Sequence, residues 1–241
     1  MAKLAASRQL IEDLVAASRI LAEHEVLDAY GHVSARSDKR PEHFIMSRSR
    51  APALVMAADL IEWGPDSEAA AGDKRKGFIE RYIHGEIYRA RPEVMAVVHG
   101  HSPSVIPFGV TQTKLRPIYH MGSFLWSGTP VWDIRKVREE NDLLVRDRPL
   151  GAALAGALGK CNCVLMRGHG MTVVGDSVQE AVFRAIYTEM NARLQLQASA
   201  LEGPIAFLSD EEGRRSTAAN RGTLERPWEL WKTRALRATR R

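Results

Sequence analysis

The chain has 241 residues, of which 45% are apolar and 26% are charged, and its formal net charge is +5. This is the composition of a folded globular protein, so it excludes disordered, collagen-like and coiled-coil classes. No segment reaches the roughly 18 consecutive apolar residues of a membrane span. Because Glu12 and Asp13 interrupt the N-terminal segment, we expect no signal peptide and no membrane partner, and we predict a cytoplasmic protein.

The positive charge is concentrated near the C-terminus. Residues 214–241 contain nine Lys and Arg residues but only two acidic ones, Glu225 and Glu229. The rest of the chain is nearly neutral and has no basic face interleaved with aromatic residues, so no nucleic-acid partner is expected. We therefore predict one domain over residues 1–210 and a basic C-terminal tail over residues 211–241.

The first half of the chain predicts a helix followed by a hairpin. Apolar residues at helical spacing predict an amphipathic helix over residues 9–25. Residues 31–36 and 43–48 alternate partly between apolar and polar side chains around a charged turn, which favours two antiparallel strands. The polar residues 66–76 are typical of a surface turn between a strand and the following element.

The second half alternates helices with short apolar runs. Helical spacing predicts a helix over residues 78–89, and Pro92 ends it. The Val-rich residues 94–102 and the run over residues 161–175 predict core strands. A long helix is predicted over residues 178–201. No linker divides the chain, so this order predicts a single α/β domain.

Two histidines at the end of a predicted strand are spaced as metal ligands. His99 and His101 lie two residues apart, so their imidazoles project from the same face of a strand. Alone, such a pair more often caps a strand, but His169 follows another apolar strand between two glycines. Three imidazoles leave coordination positions open, as in catalytic metal sites. We predict one divalent ion per subunit, and the ligand type allows Zn, Mn, Co or Fe.

Glu80 is a candidate acid/base at the start of a predicted helix. It stands at the start of the helix predicted over residues 78–89, one turn before His84. A carboxylate in the first turn is favoured by the helix dipole, so spacing alone also allows a surface role.

Together these residues form a known family pattern. The motifs, in order, are Gly31-His32-Val33-Ser34, Glu80-x3-His84-x3-Tyr88, Val97-Val98-His99-Gly100-His101-Ser102-Pro103 and Gly168-His169-Gly170. Over about residues 7–210 the chain resembles the class II aldolase and adducin family. The resemblance implies a three-layer α/β/α sandwich around a mostly antiparallel central sheet. It also implies a metal held by His99, His101 and His169, with Glu80 as acid/base, in a tetramer with active sites near subunit interfaces.

The chain departs from the sugar-phosphate members of this family where they bind phosphate. The corresponding positions here are Gly31-His32, Ser47-Arg48 and Phe78-Ile79, and the last pair offers no hydroxyl groups. Guanidinium groups match carboxylates, so we predict that His32, Ser47, Arg48 and Arg81 bind a carboxylated substrate. Arg48 and Arg81 could instead be ordinary salt-bridge partners.

Several strings, including YGHVSAR and ERYIHGEIYRARPEV, resemble one branch of the family, the decarboxylases of hydroxylated aromatic or pyridine dicarboxylates. This resemblance implies a metal-dependent decarboxylase that removes the carboxyl group ortho to a ring hydroxyl. His120 is predicted as a second acid, or as a residue at a subunit contact. One alternative is an aldolase acting on a non-phosphorylated hydroxy-keto acid. An adducin-like interaction module without metal is the other, and retention of the three histidines with Glu80 disfavours it.

Overall fold

One seven-stranded mixed sheet organises the computed structural model, which describes residues 4–237. The strands are β1 (His32–Arg36), β2 (Phe44–Ser47), β3 (Leu60–Trp63), β4 (Ala96–Gly100), β5 (Val131–Trp132), β6 (Cys163–Met166) and β7 (Gly170–Gly175). Their order is β3-β2-β1-β4-β7-β6-β5, and every pair is antiparallel except β5 with β6. The predicted β1–β2 hairpin and the mostly antiparallel sheet are confirmed.

Helices cover both faces of this sheet. They are α1 (Arg8–Glu23), α2 (Arg81–Ala90), α3 (Ile106–Val110), α4 (Arg148–Leu158), α5 (Val178–Ser199), α6 (Asp210–Arg221) and α7 (Glu225–Arg237). Successive strand residues point to opposite faces, so Val98 joins the core beneath α1 and α5 whereas Val97 joins the core beneath α2 and α4. The α/β/α sandwich expected from the family resemblance is therefore confirmed.

Helix α2 begins later than the sequence pattern indicates. Its first helical residue is Arg81, and Glu80 occupies the position before it with φ −86° and ψ 18°. The Glu80 side chain makes no capping hydrogen bond to the helix. The prediction that the helix starts at residue 78 is wrong, and the late start leaves the carboxylate available for other partners.

The segment predicted as a basic tail is helical up to residue 237 and packs on the domain. Trp228 and Trp231 of α7 are each only 8% exposed and join the core that contains α1 and α5. Arg221 Nε lies 2.7 Å from Glu180, and Lys232 Nζ lies 2.8 Å from Asp13. The composition changes near residue 210, but packing contacts join the residues on either side of this position. Between residues 4 and 237, no helix is long and apolar enough to cross a membrane.

Candidate metal centre and active-site cavity

Four side chains with metal-ligand chemistry converge beside the end of β4. Candidate ligand atoms of Glu80, His99, His101 and His169 all lie within 4.8 Å of one another. His99 belongs to β4 and His101 follows it, while His169 sits in the turn between β6 and β7. Because β4 pairs with β7, the sheet brings the two chain segments to the same place.

Glycines make the approach of His169 possible. Gly168 has φ +66°, the left-handed region that glycine adopts most readily. A Cβ atom at Gly170 would lie 2.2 Å from the backbone oxygen of Gly100. Any side chain at Gly170 would therefore push the His169 turn away from the strand that carries His99.

Each of the three imidazoles is oriented by a hydrogen bond from Nδ1 to an oxygen acceptor. The contacts are His99 to the Met171 carbonyl at 3.0 Å, His169 to the Leu143 carbonyl at 2.7 Å, and His101 to Asp28 Oδ2 at 3.0 Å. A carbonyl oxygen can only accept, so the proton of His99 and of His169 is placed on Nδ1. Such contacts fix the tautomer of metal-binding histidines and raise their basicity.

The Nε2 atoms consequently point toward a common centre. His169 Nε2 lies 3.1 Å from His101 Nε2, and Glu80 Oε2 lies 3.5 Å from Nε2 of both His99 and His169. Among the described residues, His99 Nε2 is a buried nitrogen without a hydrogen-bond partner. Buried polar atoms seldom lack partners, and a cation between these lone pairs would supply one. The donor set therefore fits a divalent metal ion.

Glu80 is held in its ionised form at this centre. Burial alone would raise the pKa of its carboxyl, but the neighbouring imidazoles of His169 and His99 outweigh burial and lower the pKa far below the ordinary value. Its other oxygen, Oε1, accepts the backbone amide of Val145 at 2.9 Å. The anchored carboxylate leaves Oε2 facing the histidines, where it can take up and return a proton.

A cavity of about 330 Å³ opens beside the cluster. It is lined by Tyr30, His32, Ser49, Lys76, Gly77, Phe78, Ile79, Glu80, His101 and Leu144. The Phe78 ring lies 4.5 Å from the His32 ring, so one wall is aromatic. Lys76 is exposed and has no described ion-pair partner within residues 4–237. The cavity thus combines a flat apolar wall with a positive charge.

A chain of buried hydrogen bonds runs from this cavity into α2. His32 Nδ1 lies 2.7 Å from His84 Nε2, His84 Nδ1 lies 2.6 Å from Ser34 Oγ, and Ser34 Oγ lies 2.8 Å from the Tyr88 hydroxyl. Burial lowers the pKa of His84 to about 3, so its imidazole is neutral. His84 and Tyr88 are four residues apart on α2, a spacing that puts both on one face of the helix.

Within the described residues, the two arginines predicted to bind substrate contact other partners than the metal cluster. Arg48 Nε lies 2.7 Å from Asp59, and this ion pair lies outside the cavity lining. Arg81 donates to the Ser67 carbonyl and to Glu68, and its guanidinium lies 4.4 Å from the centre of the Tyr82 ring. The structure therefore does not bring either guanidinium to the metal centre, and their substrate role stays a prediction.

Ser47 and His120 are also not brought to the cluster. Ser47 is buried in β2, opposite Leu60 of β3. His120 is exposed at the start of the 3-10 helix His120–Ser127, and its carbonyl accepts a hydrogen bond from Asn220 of α6. By contrast, His32 lines the cavity as expected. The roles of Ser47 and His120 likewise stay predictions.

Sequence reasoning missed two residues of the site. Asp28, which orients His101, lies in an irregular segment before β1 and carries no spacing signal of its own. Lys76 lies in the polar stretch interpreted as a surface turn. The one signal in the sequence is that Lys76 lies four residues before Glu80, which is close enough for both side chains to line the same cavity.

Comparisons with known proteins agree with this geometry. Residues 12–196 match the family model of the class II aldolase and adducin N-terminal domain. The decarboxylase tropJ of Talaromyces stipitatus is 40% identical over 92% of each chain. The 3,4-dihydroxyphthalate decarboxylase of a Terrabacter species is 36% identical over 86% of this chain and 87% of its own. In fold, the L-fuculose 1-phosphate aldolase of Glaciozyma antarctica superposes with a TM-score of 0.76 at 22% identity, covering 94% of this chain and 88% of its own.

Proposed function

Because this chain belongs to the class II aldolase and adducin family, we propose that it is a divalent-metal-dependent decarboxylase of a hydroxylated aromatic or pyridine dicarboxylate. It removes the carboxyl group ortho to a ring hydroxyl. The observation that carries the proposal is the convergence of Glu80 and three histidines beside a cavity with an aromatic wall and a lysine that has no ion-pair partner within residues 4–237. The decarboxylase relatives support the reaction type.

His99, His101 and His169 would hold the ion through Nε2, since each Nδ1 is engaged elsewhere. A bound divalent ion supplies Lewis-acid stabilisation of negative charge on the substrate. The protein's own contribution is to keep three lone pairs aimed at one point. Two backbone carbonyls and the carboxylate of Asp28 hold the imidazoles in this orientation, so the rings need not rotate when the ion binds.

Glu80 moves the proton that the reaction needs. The ionised carboxylate accepts the proton of the ring hydroxyl and then delivers it to the ring carbon that bears the carboxylate. The ring oxygen becomes a carbonyl, and the protonated carbon becomes tetrahedral. The bond to the carboxylate then breaks, CO2 leaves, and the electron pair restores the aromatic ring and the ring oxyanion. A proton from solvent completes the product, and Glu80 is again ionised.

Lys76 is the cation that we assign to the second carboxylate of the substrate. It lines the cavity with Glu80, whereas Arg48 and Arg81 are bonded to Asp59 and Glu68. An ammonium group pairs with a carboxylate as a point charge and needs no bidentate geometry. Phe78 supplies the flat surface against which an aromatic ring packs.

The protein also acts as a homo-oligomer in our proposal, a tetramer by family resemblance. Tyr30 is 74% exposed and Ile79 is 43% exposed, and both line the cavity. Exposed apolar groups beside a site are typical of interaction surfaces. Light scattering of the purified protein tests this, because a monomer would place these side chains in solvent.

Product analysis tests the proposed reaction. The metal-loaded protein is incubated with 3,4-dihydroxyphthalate and, separately, with L-fuculose 1-phosphate. We expect release of CO2 and formation of 3,4-dihydroxybenzoate from the first compound and no cleavage of the second. Aldehyde release from the sugar phosphate, without CO2 from any hydroxylated aromatic or pyridine dicarboxylate, would refute the proposal.

A further inference from the structure

The buried hydroxyl of Tyr88 has one described side-chain hydrogen-bond partner. Tyr88 is 5% exposed, and its oxygen lies 2.8 Å from Ser34 Oγ. Within residues 4–237, the backbone N–H of Val97 also contacts this hydroxyl and can only donate to it, so Ser34 Oγ is the one described acceptor. A buried donor without an acceptor is strongly disfavoured. Tyr88 therefore donates its proton to Ser34.

That single donation determines every other proton along the chain of hydrogen bonds. Ser34 has one hydroxyl proton, and because its oxygen accepts from Tyr88, it donates to His84 Nδ1. An imidazole whose Nδ1 accepts carries its proton on Nε2, so His84 donates to His32 Nδ1. His32 in turn must carry its proton on Nε2. Each hydroxyl and each neutral imidazole has one polar proton to donate.

The His32 side chain ends at the cavity. His32 lines it together with Glu80, and no described group between residues 4 and 237 is hydrogen-bonded to His32 Nε2. The ring lies 4.5 Å from Phe78 and 5.1 Å from His99, between the aromatic wall and the metal ligands. The free N–H therefore faces the space in which a substrate would lie.

We propose that His32 presents a fixed N–H donor to an anionic oxygen of the substrate, and that Tyr88, Ser34 and His84 set its tautomer. The part that concerns substrate rests on the function proposed above. If the proton order were reversed, His32 would direct a lone pair at the same oxygen and repel it. His32 is then a catalytic residue, and the other three residues are positioning residues.

Nitrogen-15 NMR of the histidine rings tests the proton order without substrate. In the wild-type protein we expect His32 and His84 both to carry the proton on Nε2. In Ser34→Ala, His84 Nδ1 loses the hydroxyl that donates to it, so the order is no longer enforced, and we expect a second tautomer of His32 to appear. The matched control is Ser18→Ala, which removes a buried hydroxyl that donates to the Leu14 carbonyl within α1 and should leave both rings unchanged. A wild-type His32 protonated on Nδ1 would overturn the proposal.

Kinetics with 3,4-dihydroxyphthalate test the role of the donor. Misplacing one charge-assisted hydrogen bond corresponds to about tenfold in kcat, so we expect such a loss in Ser34→Ala and none in Ser18→Ala. The Gln side chain retains an N–H donor, so His32→Gln should retain at least about tenfold more kcat/KM than His32→Leu. Metal content and the thermal midpoint should be the same in both variants. Equal rates for His32→Gln and His32→Leu would overturn the donor role.

The two measurements separate failure of this inference from failure of the proposed function. If the expected tautomers are observed but no hydroxylated aromatic or pyridine dicarboxylate reacts, the proton order stands and the assigned substrate is wrong. If the protein decarboxylates while Ser34→Ala changes neither tautomer nor rate, the decarboxylase assignment stands and this inference is wrong.

Discussion

Asp28 accepts a hydrogen bond from His101 Nδ1 at 3.0 Å, and the same carboxylate accepts the backbone amides of Tyr30 and Gly31. One side chain therefore fixes both the turn before β1 and the direction of a metal ligand. The contact joins residues 73 positions apart. Histidine ligands depend on such partners for their orientation and basicity.

The first prediction is that Asp28→Asn weakens metal binding by about 10–100-fold, the usual cost of losing a partner of a metal-binding histidine. The side-chain oxygen of the asparagine can still accept the backbone N–H groups of Tyr30 and Gly31, but the side chain no longer places a negative charge beside His101. Calorimetric titration of the stripped protein measures the affinity. Asp66→Asn is the matched control, since Asp66 also accepts a backbone amide in a turn. An affinity equal to that of the control would remove Asp28 from the metal centre.

Glu80→Gln should keep the fold and most of the metal but lower kcat by about 100-fold or more, the typical contribution of a positioned acid/base. Gln retains the oxygen that accepts the Val145 amide, so the backbone there should not move. Steady-state decarboxylation and metal analysis are measured together. Glu93→Gln serves as the control because Glu93 is exposed and paired with Arg91. A near-normal rate would exclude Glu80 from proton transfer.

Lys76→Met should erase the preference for a second carboxylate. We expect wild type to favour 3,4-dihydroxyphthalate over 2,3-dihydroxybenzoate, which lacks that carboxylate, by about tenfold or more in kcat/KM. Lys74→Met is the control, because Lys74 lies two residues away and outside the cavity lining. If Arg48→Met or Arg81→Met erased the preference instead, the arginine predicted from sequence would hold the carboxylate.

The sequence predicted the site residues that lie close together along the chain or beside glycines. His99 and His101 are two residues apart on one strand, and glycines mark His169, so their convergence followed from local rules. Arg48 and Arg81 were selected for their chemistry alone, and the direction of a long side chain depends on tertiary partners such as Asp59 and Glu68.

The fold shows the same limit. Long amphipathic segments such as α1 and α5 were predicted within two residues at each end. The two-residue strand β5 and helix α4 were not predicted, because a pair of strand residues has no period and α4 is apolar on several faces. The C-terminal segment is predicted as a tail from its positive charge alone, and charge carries no information on how Trp228 and Trp231 pack into the core.

We propose that α7 is part of the domain, and Trp231→Ala tests this. Truncating a buried tryptophan costs about 3–5 kcal/mol of unfolding free energy. Trp231 is 8% exposed and its ring lies 5.2 Å from His24 at the end of α1. Denaturant unfolding should show this loss, with a much smaller one for Trp126→Ala, since Trp126 is 36% exposed. Equal stability of the Trp231 variant and wild type would make the segment a dispensable tail.

Metal dependence is measured most sharply by titrating the chelator-stripped protein with Zn, Mn, Co and Fe(II) and following CO2 release from 3,4-dihydroxyphthalate. We expect negligible release without ion and a rate that rises with at least one of these ions and saturates at one ion per chain. His101→Ala should neither bind the ion nor respond to it. If the stripped protein, or the His101→Ala variant, decarboxylates at the full rate, the reaction does not depend on a metal at these histidines.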